Sequence, residues 1–291
     1  VKTLKEAMYY EKLPNDNVRC VLCPHNCVIS PGAIGICGVR LNEKGTLYST
    51  VYQMVSSMAF DPIEKKPLYK FHPGSHILSV GTAGCNFRCP YCQNYSIARA
   101  EPDTVDTFKV TSEELVAKAL QLKSQGNIGI AFTYNEPTIW YEFVYETAKL
   151  SKEKGLEIVL VTNGYINPEP LENLLPYVDA MNIDLKGYSE GFYKDICKGK
   201  LESVKKTIEL AAKKCHVEIT TLVIPGLNDS AEEMTEMCKW LASLSPDIPL
   251  HLSRFFPRYM MMDKPPTPVK TLSDLHGIAS GYLNNVYMGN V

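Results

Sequence analysis

Beyond residue 75 the apolar residues fall into short β-rich runs that alternate with longer stretches of helical period. Runs at 76–80, 128–132, 157–161, 180–183, 217–223 and 249–253 predict strands. Between the first two, Thr111-Ser-Glu-Glu114 is a capping-box pattern followed by Leu115, Ala119 and Leu122 on one helical face, with Gly126 as the stop. Ser230-Ala-Glu-Glu233 repeats the device ahead of Met234, Met237, Cys238 and Leu241. The stretch 138–154 puts Trp140, Phe143, Val144 and Ala148 on one face and ends at Gly155. Strands joined by helices of this length are βαβ units, which cross over right-handedly and build a parallel sheet. The six units predict an α/β fold, either partly closed into a barrel or open and doubly wound.

The first 75 residues have a different texture. They carry Pro24, Pro31, Gly32 and the stretch Asp61-Pro62-Ile63-Glu64-Lys65-Lys66-Pro67, with strand-like patches only near 47–55 and 70–71. This predicts a small loop-rich N-terminal subdomain over 1–75, ending near Pro73-Gly74, and the α/β domain over 76–291. Pro-rich Lys264-Pro265-Pro266-Thr267-Pro268 reads as a rigid surface connection.

Composition adds little until the cysteines. With 291 residues, 45% hydrophobic and 21% charged, the chain has the balance of an ordinary globular protein. A chain this long buries roughly 75% of its unfolded surface and needs no covalent staples. The net charge of −2 gives no field favouring nucleic acid or an anionic membrane. No apolar run approaches the ~20 residues of a membrane helix, and 1–17 lacks the apolar core of a signal peptide. The ten cysteines, however, are clustered: Cys20, Cys23, Cys27 and Cys37, then Cys85, Cys89 and Cys92, with Cys197, Cys215 and Cys238 apart. In a chain of this size such clusters read as metal or redox groups rather than a disulfide framework, which points to a reducing, cytoplasmic compartment.

The unusual residues gather at one edge. Gly84-Cys85, Tyr134-Asn135-Glu136-Pro137, Thr162-Asn163-Gly164, Asp184-Leu185-Lys186-Gly187, Pro225-Gly226-Leu227-Asn228-Asp229 and Arg254-Phe255-Phe256-Pro257 each follow a predicted strand, in that order. In parallel α/β folds the loops at the C-terminal strand ends meet around the ligand. The first of these loops, Cys85-Asn-Phe-Arg-Cys89-Pro-Tyr-Cys92, has C-x3-C-x2-C spacing, and Gly84 lets the backbone turn tightly ahead of it. Thiolates this close wrap one iron–sulfur cluster, and three ligands on a 4Fe–4S cluster leave one iron open for a small molecule. The bland alternatives are a zinc knuckle with a remote fourth ligand, or buried thiols.

With Tyr91 at the aromatic position, this loop resembles the C-x3-C-x-aromatic-C signature of the radical S-adenosylmethionine (SAM) enzymes. The wider chain is similar to the AmmeMemoRadiSam-system radical SAM enzymes, relatives of pyruvate formate-lyase-activating enzyme. That similarity rests on Leu22-Cys23-Pro24-His25-Asn26-Cys27, Asp61 to Tyr69, Gly84-Cys85-Asn86, Cys92-Gln93-Asn94, Thr133-Tyr134-Asn135-Glu136-Pro137-Thr138, Val161-Thr162-Asn163-Gly164-Tyr165, Asp184-Leu185-Lys186-Gly187 and Tyr287-Met288-Gly289-Asn290-Val291. The resemblance implies a partial (β/α)6, TIM-like barrel and a 4Fe–4S cluster on Cys85, Cys89 and Cys92 that binds SAM. Reductive cleavage then gives methionine and a 5′-deoxyadenosyl radical, which abstracts a hydrogen atom. It implies SAM contacts as well: Tyr91 and Asn94 beside the adenine, Leu222 and Ile224 behind it, Glu136 on the ammonium, and Thr162 and Asn163 on polar groups of the ribose or methionine. Asp184 would bind the ribose and Lys186 the carboxylate; the bland reading is a strand-end ion pair. Tyr134 and Asn135 stand where the superfamily's Gly-Gly-Glu-Pro element has glycines, a departure from the pattern. Oxygen sensitivity, a reducing partner of ferredoxin or flavodoxin type, and partners of the Memo and Amme types follow from the same resemblance. Family chains commonly run on past the Gly-Asn-Val element, and such a tail could carry further metal ligands or substrate contacts.

The cluster Cys20-x2-Cys23-x3-Cys27-x9-Cys37 holds enough thiolates to close a tetrahedral site, which suits structural zinc and an auxiliary iron–sulfur cluster equally well; zinc is the first expectation, an auxiliary 4Fe–4S cluster the second and unmetallated cysteines the third. His25 is a substitute ligand, or a ring turned to solvent or to the loop backbone. No cysteine lies between Cys92 and Cys197, so the two-cluster ferredoxin-like insertion of some glycyl-radical activases is absent. The isolated cysteines read as small apolar fillers, and Met260-Met261-Met262 as a packed loop rather than a lid. His251 and Arg254 are candidates for binding substrate or the SAM carboxylate. The expected function is SAM cleavage and hydrogen abstraction. A glycyl-radical activase and a non-catalytic iron–sulfur electron carrier are the alternatives, and a zinc-dependent nucleic-acid module is opposed by the charge balance.

Overall fold

The computed structural model describes residues 4–100 and 104–291. The alternation after residue 75 is realised as an eight-stranded sheet. Its strands are β1 (Ser57–Pro62), β2 (His76–Gly81), β3 (Asn127–Phe132), β4 (Glu157–Thr162), β5 (Ala180–Asp184), β6 (His216–Val223), β7 (Leu250–Arg254) and β8 (Val286–Gly289), side by side in that order. Strands β2 to β8 are parallel and β1 runs antiparallel to β2. The six predicted runs are β2 to β7, each within one residue at either end.

Both sheet faces are buried. On one, Ile130, Phe132, Ile158, Leu160, Ile183 and Ile219 pack under the helices; on the other, Ile77, Ala131, Val159 and Ala180 close with Ile63 and Leu68 into a separate cluster. Alternate residues of one strand thus supply two cores, as in a parallel barrel lined inside by side chains and sheathed outside by helices. The sheath includes α1 (Ser112–Gln121), α2 (Tyr141–Glu153), α3 (Leu201–Ala211), α4 (Ala231–Leu244) and α5 (Val269–Ser280), with the short helix Pro168–Leu174 between β4 and β5.

The boundary near Pro73-Gly74 does not separate two packing units. All six residues of β1 pair with β2, from Ser57 opposite Gly81 to Pro62 opposite His76. Val18, Leu47 and Val55 share one buried cluster with Leu78, Val80 and Phe132. Strand β1 escapes sequence reading because Ser-Met-Ala-Phe-Asp-Pro has no β-branched residue, and its extended form is imposed by its neighbour. Ahead of it, short strands form at Thr46–Ser49 and Met54–Val55, within the expected patch. Lys70 lies in no strand; its N–H donates to Glu218.

The start signals divide. Thr111 Oγ1 accepts the Glu114 N–H at 3.2 Å and the Glu114 carboxylate accepts the Thr111 N–H at 2.8 Å, a complete capping box worth about 1 kcal/mol. At α4 only half forms: Ser230 accepts the Glu233 N–H at 3.1 Å, while Glu233 accepts from Tyr188 N–H in the loop after β5. The proline-rich segment is also more than a surface connection. Thr267 is fully buried; its hydroxyl donates to the Val223 carbonyl at 2.6 Å and accepts the Phe255 N–H at 3.1 Å, strapping the ends of β6 and β7. Among the described residues no helix is long and apolar enough to cross a membrane.

Candidate active site and cysteine centres

The three-cysteine loop leaves the C-terminal end of β2. Gly84 has φ +95°, and a Cβ there would stand 2.7 Å from Val39 Cγ1 and 2.8 Å from the Cys37 carbonyl oxygen. Only glycine permits both the turn and the approach. Cys89 is buried, Cys85 and Cys92 half-buried. The backbone N–H of Phe87 at 3.4 Å and Asn163 Nδ2 at 3.7 Å donate to Cys85 Sγ. Asn163 is itself fixed, donating to Asn86 Oδ1 at 2.8 Å and accepting the Tyr165 N–H at 2.9 Å. Asn86 Nδ2 in turn donates to the Tyr165 carbonyl at 2.8 Å. N–H groups aimed at a sulfur stabilise its anionic form, and soft thiolates so attended suit an iron–sulfur cluster. The donor set fits the expected group.

Cys197 was expected to be an apolar filler, and here the structure differs. It is fully buried at the end of the π-helical turn Tyr193–Cys197 and lies 3.7 Å from the Tyr91 hydroxyl. The neighbouring Cys197 thiol holds the Cys89 thiol below the usual cysteine range, whereas burial pushes Cys85 up. Cys238, against Met234 Sδ at 3.7 Å, and Cys215, bonded to the Ala211 carbonyl, keep to the filler role.

Around this loop the strand ends bring several expected residues together. Asp184 and Lys186 form an ion pair of 2.9 Å at the end of β5. Burial disfavours the Lys186 charge, but Asp184 and the thiols of Cys89 and Cys197 hold it well above the usual lysine range. Glu136 is 1% exposed, and its carboxylate is engaged by the chain: it accepts from Thr138 N–H at 2.9 Å, Thr162 Oγ1 at 2.7 Å and Asn163 N–H at 2.8 Å. It braces the loop after β3 against the loop after β4, and burial raises its pKa against those donors. Tyr134 sits at φ +70°, the left-handed conformation a glycine would adopt freely, at a cost of about 1–3 kcal/mol. Its hydroxyl donates to Asp61 at 2.9 Å, Lys66 lies 4.8 Å over its ring, and its carbonyl accepts from Asn94 Nδ2 at 2.6 Å. Asn135 replaces backbone contacts with side-chain ones, accepting the Thr82 N–H at 3.0 Å and donating to the Gly84 carbonyl at 2.9 Å.

The remaining expected residues are not all at the rim. Tyr91 is buried with its hydroxyl toward Cys197; Leu222 is half-buried, and Ile224 belongs to the core. His251 is not at the rim. Its Nε2 meets the Glu218 carboxylate at 2.6 Å, with Tyr69 and Tyr287 against its ring, deeper along the strands where Glu218 also accepts from the N–H groups of Tyr69 and Lys70. Arg254 donates from Nε to the Thr267 carbonyl at 2.7 Å and lies over Phe256. In the methionine run Met261 is buried while Met260 and Met262 are exposed, and Met260 N–H donates to the Pro90 carbonyl, so the loop leans on the cysteine loop.

The four N-terminal cysteines enclose a cavity of about 20 Å³, walled by Leu22, Ile29, Ile139 and Arg40. Arg40 Nη1 donates to Glu142 Oε1 at 2.8 Å and Nη2 to the Ile139 carbonyl at 3.0 Å, with both charged side chains 2% exposed. Among the described residues its Nε has no hydrogen-bond partner. His25 turns to the loop backbone, donating from Nε2 to the Asn86 carbonyl at 2.8 Å. Among the described residues no three His, Cys, Asp or Glu side chains converge on a point that would hold a single metal ion.

A family profile described as the Radical SAM superfamily matches residues 79–241, over half of the chain. The chain belongs to the radical SAM superfamily. It is 45% identical to an uncharacterised protein of Methanocaldococcus jannaschii, over 99% of this chain and 86% of that one. It is 30% identical to a pyruvate formate-lyase-activating enzyme of Clostridium pasteurianum, over 55% of this chain and 67% of the relative. A radical SAM methyltransferase from Sphaerobacter thermophilus shares the fold with a TM-score of 0.57 at 16% identity, over 75% and 67% of the two chains. SuiB of Streptococcus suis, solved with SAM, does so at 0.56 and 15%, over 70% and 47%. The radical SAM protein is therefore an enzyme, close to the glycyl-radical enzyme activating enzymes, of a class that draws electrons from a reducing partner such as flavodoxin or ferredoxin. Membership implies a 4Fe–4S cluster that binds SAM and supplies the electron that splits it into methionine and a 5′-deoxyadenosyl radical.

Sequence reading missed Asn86, Arg40, Cys197 and Glu218. Asn86 had a signal, its place directly after Cys85; the other three are recognisable only once distant segments meet.

Proposed function

We propose that Cys85, Cys89 and Cys92 hold the SAM-binding cluster and that the radical formed there abstracts hydrogen from a substrate presented at the C-terminal rim of the barrel. The observation that carries this reading is the pair of N–H donors on Cys85 beside the Asp184–Lys186 pair, at the strand-end edge. Lys186 bears on the methionine carboxylate and Asp184 on the ribose, their mutual bond giving way to the ligand. Tyr91, Asn94 and Leu222 flank the adenine, while Glu136 and Thr162 hold the surrounding loops and Asn163 the cluster ligand. The N-terminal four-cysteine region is a second metal centre, of zinc or iron and sulfur. All ten cysteines are unpaired, in keeping with a reducing cytoplasm. Partners of the Memo and Amme types are assigned on the sequence elements shared with that family.

The test is anaerobic reconstitution followed by dithionite and SAM, with 5′-deoxyadenosine quantified. Product is expected from the wild type and none from Cys89→Ala; undiminished product in the variant would overturn the ligand assignment. A second reading, a glycyl-radical activase, is favoured by the names of relatives sharing 28–30% identity. A glycine-centred radical seen by electron paramagnetic resonance (EPR) on a partner enzyme would establish it.

A further inference from the structure

We propose that the four-cysteine cavity binds a second 4Fe–4S cluster, and that this cluster relays single electrons to the one held by Cys85, Cys89 and Cys92. The relay rests on the function proposed above; the identity of the metal does not.

Zinc sits about 2.3 Å from each sulfur, and four sulfurs that close leave no space at their centre for a sphere of about 1.4 Å radius. The cavity between Cys20, Cys23, Cys27 and Cys37 admits such a sphere. All four thiol-bearing residues line one cavity, as ligands of a cubane must. Apolar walls and a buried arginine complete it. A tetrathiolate cluster carries net negative charge, and Arg40, though paired with Glu142, brings to the cavity a guanidinium whose Nε has no hydrogen-bond partner among the described residues.

The placement gives the site its role. The Cys37 carbonyl lies against Gly84, the residue before Cys85. Arg88, the residue before Cys89, donates from Nη2 to the Ile36 carbonyl at 2.6 Å, and His25 donates to the Asn86 carbonyl at 2.8 Å. Backbone dimensions then put the α-carbons of Cys37 and Cys85 on the order of 10 Å apart. Zinc has no redox chemistry and gains nothing from such closeness. Cys23, Cys27 and Cys37 are half-buried, with Val28, Ile34 and Ile36 exposed beside them, so the outer wall is within reach of a donor. The electron count is simple. A low-potential flavin or iron–sulfur donor protein loses one electron, the outer cluster gains it and passes it inward, and it enters the C–S bond of SAM. That bond breaks to leave methionine with the electron pair and the 5′-deoxyadenosyl group with the unpaired electron.

Two measurements on the full chain, purified without oxygen, test this. The triple variant Cys85→Ala/Cys89→Ala/Cys92→Ala should retain iron and sulfide and, after dithionite, show an EPR signal indifferent to SAM. Stoichiometric zinc without iron would overturn the cluster. In Cys20→Ser/Cys23→Ser, reduction of the SAM-responsive cluster by flavodoxin hydroquinone should slow by an order of magnitude or more, with dithionite-driven 5′-deoxyadenosine retained. An unchanged flavodoxin rate would overturn the relay. Should that variant not fold, freeze-quench of the wild type decides: the SAM-indifferent signal must appear first, and the reverse order refutes it. Absence of 5′-deoxyadenosine from wild type with dithionite would instead remove the proposed function, leaving the metal assignment standing.

Discussion

The two cysteine centres use the same side chain in opposite surroundings. The trio sits on a loop at the end of a parallel strand, beside the Asp184–Lys186 pair, with amides of Phe87 and Asn163 aimed at Cys85. The quartet is closed in by Leu22, Ile29, Ile139 and the buried Arg40–Glu142 pair. On the assignments proposed above, three thiolates beside polar groups would leave a corner where SAM binds, and four thiolates behind apolar walls would leave none. The difference would then separate chemistry from electron transfer, and it is written in the neighbours rather than in the cysteines.

The sharpest break in the comparison is ligand removal. Changing a residue that only supports a metal ligand costs about 10–100-fold, so losing a ligand of the trio should exceed that: Cys85→Ala or Cys92→Ala should leave no measurable 5′-deoxyadenosine with dithionite. Comparable loss in Cys27→Ala would erase the distinction between the centres. Next comes the pair under the quartet. Removing one partner of a buried ion pair costs about 3–5 kcal/mol, so Arg40→Leu should lower the unfolding midpoint strongly, while Arg40→Met/Glu142→Leu should recover most of the loss. Thermal unfolding with iron content measures both; a neutral Arg40→Leu would contradict the burial and charge argument.

Glu218 supplies a control that touches neither centre. Burial disfavours its charge, but bonds from His216, His251 and the N–H groups of Tyr69 and Lys70 prevail and bring it down to about 2, from 4.5. A depressed carboxyl contributes stability in full above its unfolded value and loses it as pH falls through the folded one. The contribution is about 3 kcal/mol at neutral pH. Glu218→Gln should therefore cost about that much at pH 7, and the two proteins should converge as the pH approaches 2. Denaturant unfolding at several pH values checks it; a gap independent of pH would show that the carboxylate's charge plays no part.

Much of this was legible. The β-rich runs and their spacing marked β2 to β7, since a strand buried on both faces announces itself by composition alone. The rim of Asp184, Lys186, Glu136 and Asn163 followed from counting what comes after each strand. What stayed hidden depends on partners far along the chain. His251 belongs to Glu218 and Tyr69 rather than to the rim. The Ser230 cap lost half its box because Glu233 found Tyr188 N–H instead. Thr267 is a buried strap in a segment whose prolines suggest a surface. Glu136 reads as a free acceptor until Thr138, Thr162 and Asn163 are seen to surround it.

A smaller effect tests what those surroundings do. Asn163→Ala removes one of the two N–H groups on Cys85 and the clasp on Asn86. Cluster retention or product rate should fall by about 10–100-fold, with a shift in reduction potential that lost stability alone would not produce. An unchanged potential would demote Asn163 to packing.

The smallest effect bears on the count itself. Cys197 brings a fourth thiol close to Cys89, with its sulfur 3.7 Å from the Tyr91 hydroxyl. Were it a ligand, the inner centre would be closed like the outer one and SAM would have no iron to meet. Its place at the end of a π-helical turn, with its own carbonyl bonded to the Arg88 N–H, suits a packed donor rather than a capping ligand. Cys197→Ala should therefore keep the iron content, keep a SAM-responsive EPR signal, and change the product rate by less than the factor of about 10 assigned to outer-shell partners. Loss of one ligand's worth of cluster stability, together with a wild type indifferent to SAM, would show that both centres are fully capped and that the contrast between them is false.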